Sequence, residues 1–344
     1  LKDMNYSATT SSSATRNALR TAIAKVLADE EAAIDEALGK VNAITGTAAD
    51  VKVIKENADI LGLDLTAFEA LDDETGQAGG RQTAVMKDLV SNKPDEGYDQ
   101  GTLKAIFDSI VAVRTATQAS MDLVNEAESL ENIDYVEDLL AAFEGVAEGH
   151  TIHSGKAISD KVTELEKLVS DFKALPEANQ AAALTAVIEN KPEGGYLRSQ
   201  STLDALANAI AEEQGKIEGA KAAFLAGLKT AVSSDVATVE IDGESISVTF
   251  AHNATVDGIK DAADALVGEL LKGGVTGTLT IDGTDFNLDE EDVASKVAHA
   301  ILEVTAEDFL NEGSAEVSYK ATVTVDGVEF TLEGGLSFQM GDAQ

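Results

Sequence analysis

The chain of 344 residues contains no cysteine and no tryptophan, and aromatic residues make up 4% of it. Without thiols there can be no disulfide, thiolate zinc site, iron–sulfur cluster or cysteine nucleophile. Proline is scarce too, at three residues, and no apolar run approaches the roughly 20 residues that span a bilayer. Insertion into a membrane is therefore not expected. With 44% hydrophobic residues, however, the chain can bury a core.

Basic residues are the other shortage, because 25 Lys and Arg stand against 62 Asp and Glu, a formal net charge of −37. A protein that binds nucleic acid needs basic side chains to replace the counterions of the phosphates, so nucleic acid is not an expected partner. Anionic membrane surfaces are disfavoured for the same reason. So acidic a chain repels its own copies unless cations screen or bridge the charge. If the protein assembles, divalent ions are expected to control the assembly.

The first two thirds of the chain carry apolar residues at helical spacing. A polar arm at 1–13 precedes a stripe that runs from Leu19 to Leu38 and predicts a helix capped by Ser12 or Ser13 and ended by Gly39. Similar stripes recur as far as about residue 230. The sequence predicts a helical repeat array with two modules, 14–120 and 121–230.

From Thr238 onward the apolar period changes from helical to alternating. Three Asp-Gly pairs lie between alternating segments and predict β-hairpins with type I′ turns. Helical stripes separate the hairpins, so residues 231–344 are predicted to form an α+β domain with an antiparallel sheet. The fold class of the whole chain is α plus α+β. The glycines of the three predicted turns are Gly243, Gly283 and Gly327.

An internal repeat marks the helical part. Asn92-Lys-Pro-Asp-Glu-Gly-Tyr98 and Asn190-Lys-Pro-Glu-Gly-Gly-Tyr196 are near copies, 98 residues apart (190 − 92 = 98). Proline ends one helix, glycine supplies the turn, and the tyrosine ring is expected to hold the loop against the bundle with its hydroxyl in water. The favoured interpretation is a duplicated structural corner, and a paired ligand-binding loop is the alternative. The turn residues concerned are Pro94, Gly97, Tyr98, Pro192, Gly195 and Tyr196.

These residues carry a family resemblance. With Val41-Asn-Ala-Ile44, Leu61-Gly-Leu-Asp-Leu65 and Phe68-Glu-Ala-Leu71, the first copy resembles repeats in secreted surface proteins of Gram-positive bacteria, which often occur beside S-layer-homology domains. The second copy, with Leu123-Val-Asn-Glu126, is less faithful, and the resemblance covers roughly residues 41–215. It implies an extracellular, cell-wall-associated or self-assembling role.

Candidate sites for chemistry are few. No serine-hydrolase, zinc-protease, phosphate-loop or dinucleotide-binding motif occurs, so an enzyme is not expected. Of the four histidines, His150 and His153 are predicted to lie in an exposed turn rather than in a metal site, and His252 and His299 have no partner in a motif.

One acidic cluster has the oxygen ligands that Ca²⁺ prefers, although its spacing is not that of an EF-hand. Its candidate ligands are Asp282, Asp285, Asp289 and Asp292. The favoured interpretation is instead that Asp289 caps a helix whose first turn attracts anions. No cofactor is predicted with certainty, and Ca²⁺ is the one candidate.

These features predict a structural subunit of an extracellular layer or filament whose main partner is itself. The hairpins offer edges that can pair, and the arm 1–13 could add to a neighbour's sheet. The alternative is a monomeric surface adhesin that displays the C-terminal domain on a helical stalk and binds a host or cell-wall polymer. A carbohydrate-active enzyme with two carboxylates about 5–10 Å apart is a third interpretation. A halophilic cytosolic origin would explain the charge alone.

Overall fold

The chain divides into two compact units. The computed structural model describes residues 12–71, 80–146, 157–272, 276–281, 283–290, 292–293, 295–297, 299–300, 302–303 and 314–342. One unit holds the described residues up to 170 together with 190–204, and the other holds 171–189 together with those from 205 onward. The predicted module limits near residues 120 and 230 stay predictions.

The N-terminal part of the chain is helical, as predicted. Its apolar stripes, spaced by three and four residues, give each helix one side that can be buried. The helices of the first unit are α1 (Ser12–Asn42), α2 (Ala48–Leu61), α3 (Thr66–Ala70), α4 (Arg81–Ser91), α5 (Gln100–Glu126) and α6 (Asp134–Glu144). They are followed along the chain by α7 (Ile158–Lys173), α8 (Glu177–Glu189) and α9 (Ser199–Val232).

Helix α1 differs from its prediction at both ends. It does not stop at Gly39 but continues to Asn42. A glycine inside a helix costs only about 1 kcal/mol relative to alanine, and the fully buried Val41 beyond it favours one more turn. Ser12 and Ser13 belong to the helix rather than to the predicted arm, the rest of which lies outside the described residues.

Side chains fix the starts of two other helices in this unit. Thr47 and Asp50 form a capping box at the start of α2, and the Asp99 carboxylate accepts a hydrogen bond from Thr102 N at 2.7 Å at the start of α5. Such caps satisfy amides that the helix itself leaves unpaired. Between the helices, the rings of Phe68 and Phe107 pack with centroids 5.5 Å apart.

The C-terminal part contains the three predicted hairpins joined into one sheet. The strands are β1 (Ala237–Asp242), β2 (Ser245–Phe250), β3 (Thr276–Ile281), β4 (Thr284–Asn287), β5 (Ser314–Val325) and β6 (Val328–Met340), with α10 (Val256–Leu270) after the first hairpin. Their order is β1-β2-β6-β5-β3-β4. Every neighbouring pair is antiparallel except β2 and β6, which run parallel. The fold class is therefore α plus α+β.

The hairpin turns follow the prediction in part. At the third turn both Asp326 and Gly327 have positive φ, 51° and 82°, as a type I′ turn requires. At the first turn Asp242 pairs with Ser245, so Gly243 and Glu244 are the central residues. Gly243 alone has positive φ, 60°, which is the pattern of a type II′ turn, so the predicted type I′ turn is wrong here. At the second turn Gly283 has φ 72°, and Asp282 lies outside the described residues.

The core of the second unit lies on one face of the sheet. Alternate residues of β5 and β6 point into it, because successive strand residues face opposite sides. Helices α9 and α10 cover this face, and the rings of Phe250 and Phe338 stack within it at 6.4 Å. Its buried side chains include Phe224, Leu228, Leu266, Val317, Tyr319, Val323, Phe330, Leu332, Leu336 and Phe338.

Candidate functional site

The first copy of the repeated loop is tied to the end of α1. Asn42 Oδ1 accepts a hydrogen bond from Tyr98 N at 2.7 Å, and Asn42 Nδ2 donates to Tyr98 O at 3.1 Å. Lys93 Nζ donates to the backbone oxygen of Asn42 at 3.0 Å. The asparagine side-chain amide thus provides hydrogen-bond partners for the backbone N–H and C=O of Tyr98. We call Asn42, Lys93 and Tyr98 corner lock 1.

The second copy repeats these contacts at the end of α5. Asn125 Oδ1 accepts from Tyr196 N at 2.6 Å, and Asn125 Nδ2 donates to Tyr196 O at 2.9 Å. Lys191 Nζ donates to the backbone oxygens of Asn125 at 2.8 Å and Ala127 at 3.1 Å. We call Asn125, Lys191 and Tyr196 corner lock 2. The lysine in each lock satisfies carbonyl groups at a helix end, where no helical amide remains to do so.

The predicted turn glycines let the loop approach the asparagine. Gly97 and Gly195 have φ of 85° and 81°, and their amides donate to Pro94 O and Pro192 O at 2.9 Å. A Cβ atom on Gly195 would lie 2.7 Å from Asn125 Oδ1, closer than carbon and oxygen normally approach. Positive φ and the tight contact both favour glycine at this place.

The tyrosine hydroxyl of corner lock 1 is not in water, contrary to the prediction. Tyr98 is 4% exposed, and its hydroxyl donates to the backbone oxygen of Leu89 at 2.7 Å. Leu89 lies in the last turn of α4, where carbonyl groups need an outside donor. Burial raises the pKa of Tyr98 and, to a smaller extent, that of Tyr196. The ring and the hydroxyl together close the end of α4.

Helix α5 connects the two corner locks, because it begins two residues after Tyr98 and ends one residue after Asn125. Along its length it contacts α3, α4 and α6. The same helix therefore finishes one repeat and begins the next. The roles of Asn42 and Asn125 were not predicted from the sequence. The signal that could have revealed it is the dipeptide Val-Asn, present at both helix ends.

The acidic cluster suggested for Ca²⁺ is occupied in part by contacts within the protein. Thr280 Oγ1 donates to Asp285 at 2.7 Å, and Lys296 Nζ lies 2.8 Å from Asp292. The hydrogen bond from Lys296 lowers the pKa of Asp292. Within the described part of the chain no three His, Asp or Glu residues are grouped so as to hold a metal. Asp282 lies outside that part, so the Ca²⁺ site stays a prediction.

The histidines are dispersed. His299 Nε2 lies 3.3 Å from Glu303 on an exposed helical turn. His252 lines a groove of about 640 Å³, together with Asp235, Thr238 and Asp342. These groups can hydrogen-bond a polar ligand, but the aromatic ring in the lining, Phe250, is buried and offers no face for a sugar. His150 and His153 lie outside the described residues.

One contact set fastens the first hairpin to the middle of the sheet. Glu244 accepts hydrogen bonds from Lys221 Nζ at 2.7 Å and from Glu333 N at 3.0 Å, and its backbone oxygen accepts from Tyr319 Oη at 2.5 Å. Burial raises the pKa of the Glu244 carboxyl, but the two hydrogen bonds outweigh it and the net pKa is lowered. Burial raises the pKa of Tyr319 to about 12.

A second feature of interest is an exposed apolar surface on α1. Four large side chains in its N-terminal half are solvent-accessible although they follow a helical stripe. We call this surface the α1 face, formed by Leu19 (39% exposed), Ile23 (48%), Val26 (61%) and Leu27 (58%). Further along the same helix, Ala37 and Val41 are buried.

Comparison with known proteins gives one partial similarity. No family model and no solved structure matches the chain. No helix in the described ranges combines the length and apolar character needed to cross a bilayer. A stretch of 86 residues, 25% of this chain, is 34% identical to gellan lyase from a Bacillus species. That stretch spans 3% of the length of the lyase, so the similarity is to a small part of a much longer protein.

Proposed function

We propose that the chain is a structural subunit of an extracellular layer or filament that assembles from its own copies on a bacterial surface. The observation that carries the proposal is the α1 face, where four large apolar side chains are 39–61% exposed on a chain with a net charge of −37. Contiguous apolar surface on a soluble domain is typical of a site for another protein.

The repeated corner locks support a structural role. Both use an asparagine amide, a lysine and a buried tyrosine to fix a joint between helices. Repeats joined in this way make a scaffold that can be lengthened by adding units.

The sheet offers a second kind of contact, but a weaker one. Strands β1 and β4 lie at its two edges. They are six and four residues long, and β1 carries Glu240 and Asp242. Short, charged edge strands are the means by which proteins discourage strand addition. Self-association through α1 is therefore favoured over pairing through these edges.

Assembly of so acidic a subunit should depend on cations. Copies with a charge of −37 repel one another, and salt shortens the range of that repulsion. We expect sedimentation and negative-stain images of the full chain to show ordered assemblies with millimolar Ca²⁺ and single particles with a chelator at low salt. A chain that stays monomeric with Ca²⁺, with Mg²⁺ and at high salt contradicts the proposal. Assembly that ignores both chelator and salt contradicts the cation dependence alone.

A second candidate is a monomeric surface adhesin whose helical repeats form a spacer for the C-terminal domain. The observation that favours it is α5, which continues from one corner lock into the next and joins the repeats in series. This candidate is expected to give a monomer that sediments with purified cell walls under all salt conditions. The two candidates are separated by measuring self-association and cell-wall binding on the same preparation.

A further inference from the structure

The α1 face continues a buried side of the same helix. At 100° per residue, Leu19, Ile23 and Val26 lie within about 60° of the direction of Ala37 and Val41. Ala37 and Val41 are 1% and 0% exposed, and this end of α1 contacts α2. The N-terminal half of the helix thus prolongs an existing interface, but no described residue covers it.

The equivalent part of α5 shows how such a face is normally used in this protein. When Asn42 is aligned with Asn125, Ile23 corresponds to Ile106 and Leu27 to Ile110 (each 83 residues on). Ile106 and Ile110 are 4% and 1% exposed on a helix that packs against α3, α4 and α6. At these two positions the apolar side chain is covered in α5 and exposed in α1.

Charge is segregated along α1. Its first half carries the basic side chains Arg16, Arg20 and Lys25, of which Arg16 and Arg20 lie beside the α1 face. The following turns carry acidic side chains instead: Asp29, Glu30, Glu31, Asp35 and Glu36. Two such helices placed antiparallel bring the basic half of each against the acidic half of the other. A parallel pair would bring like charges together, which is unfavourable.

We propose that the α1 face binds the α1 face of a second copy of the chain, forming an antiparallel helix pair that crosses near residue 25. This inference rests on the proposed function, because it specifies one contact between subunits of the proposed assembly. A twofold pair uses the same surface on both copies, so Ile23 and Val26 of one helix pack against those of the other. The pair is closed, and a layer or filament needs a further contact elsewhere on the subunit.

The absence of cysteine allows a direct test of direction. In the proposed pair Leu19 of one copy lies beside Ala33 of the other, whereas two copies of Leu19 are about 20 Å apart at a rise of 1.5 Å per residue. We expect mild oxidation of a mixture of full-length L19C and A33C chains to give a mixed disulfide dimer at least tenfold faster than either chain alone. Equal or faster cross-linking of L19C with itself would overturn the antiparallel arrangement.

A second measurement tests the surface itself. The double variant I23S/V26S replaces two exposed side chains, so its helix content should stay unchanged in circular dichroism. Its dimerisation in sedimentation equilibrium should weaken at least tenfold. The matched control is I60S, because Ile60 is also exposed, at 45%, but lies on α2. If the native chain assembles and I23S/V26S assembles equally well, the helix pair is refuted while the proposed function stands. If the native chain never associates, both are refuted.

Discussion

The Asn125 side chain hydrogen-bonds both polar groups of the Tyr196 backbone, accepting from the amide at 2.6 Å and donating to the carbonyl at 2.9 Å. The two residues are 71 positions apart, so this single side chain closes the second repeat. Asn42 does the same for Tyr98 in the first repeat, over 56 positions. The loop sequence and the helix end that receives it therefore form one structural unit.

Replacing Asn125 with alanine should destabilise the protein. The change removes two hydrogen bonds and leaves the amide and carbonyl of Tyr196 without their partner, a loss of about 2 kcal/mol. Urea unfolding followed by circular dichroism measures it. Asn17→Ala, at an exposed position of α1, is the matched control and should shift the free energy of unfolding by less than about 0.5 kcal/mol. Equal midpoints for the two variants would show that corner lock 2 contributes nothing.

Gly194 and Gly195 offer a matched pair for the tight contact in corner lock 2. Both have positive φ, 90° and 81°, but a Cβ on Gly194 meets nothing within 4 Å, whereas one on Gly195 meets Asn125. Gly194→Ala should cost about 1 kcal/mol for its backbone conformation alone. Gly195→Ala should lower the free energy of unfolding by more than Gly194→Ala does. Most of this extra destabilisation should disappear when the Gly195→Ala substitution is made in an Asn125→Ala background. A double-mutant cycle with zero coupling would contradict the contact.

Gly334 and Gly335 provide the same comparison in the sheet. A Cβ on Gly334 would lie 2.4 Å from Glu244 O, whereas on Gly335 the nearest atom is 3.9 Å away. Gly334→Ala should push the first turn away from β6 and destabilise by about 1–3 kcal/mol, as overpacking does. Gly335→Ala should be neutral or slightly stabilising. The order of the two unfolding midpoints in urea decides the matter, and a reversed order would refute the close approach.

Tyr319 should make stability decline at high pH. Its pKa is raised from the ordinary value of 10.0 to about 12, because burial disfavours the phenolate. The contribution of Tyr319 to the free energy of unfolding is on the order of 2 kcal/mol. It is fully present below about pH 10 and is lost as the pH rises toward 12, because the tyrosine loses its proton at a lower pH in the unfolded chain than in the folded one.

The test for Tyr319 compares the native chain with Tyr319→Phe. The variant should show a smaller fall in unfolding free energy between about pH 10 and pH 12, although the other buried tyrosines still contribute. Phenolate absorbance gives a second readout, which is simple to interpret because the chain has no tryptophan. A variant whose stability falls as steeply as that of the native chain would contradict the assignment.

Local patterns explain what could be predicted from the sequence. Helical spacing and the Asp-Gly pairs act over a few residues, so the helices and the three hairpins were predictable. The turn at Gly243 was misplaced by one residue because Glu244 is held by Lys221 and Glu333, which are 23 and 89 positions away. A pattern of neighbouring residues cannot predict contacts over such distances in the sequence. The parallel pairing of β2 with β6 was missed for a similar reason, since alternation fixes the face of a strand but not its neighbour.

The candidate surfaces were harder to predict than the fold. The stripe from Leu19 to Leu27 has the same spacing whether it is buried or exposed, so the sequence alone could not distinguish a core helix from the α1 face. Tyr98 was expected to keep its hydroxyl in water, because its acceptor, the backbone oxygen of Leu89, has no sequence signature. The role of Asn42 and Asn125 depends on loops more than 50 positions away.

The helix that connects the two corner locks, α5, restricts how this protein can gain or lose a repeat in evolution. A cut at a loop would separate an asparagine from its tyrosine, because each lock joins the end of one long helix to the loop that follows a later one. A deletion or duplication that preserves both locks must begin and end inside a long helix. Between the locks, length is tolerated: 51 positions separate Asn42 from Lys93 (93 − 42) and 66 separate Asn125 from Lys191 (191 − 125). Recombination can thus exchange segments that begin and end in the middle of a long helix. The part of such a segment between the asparagine and its loop can vary in length, provided that the asparagine and the loop are inherited together.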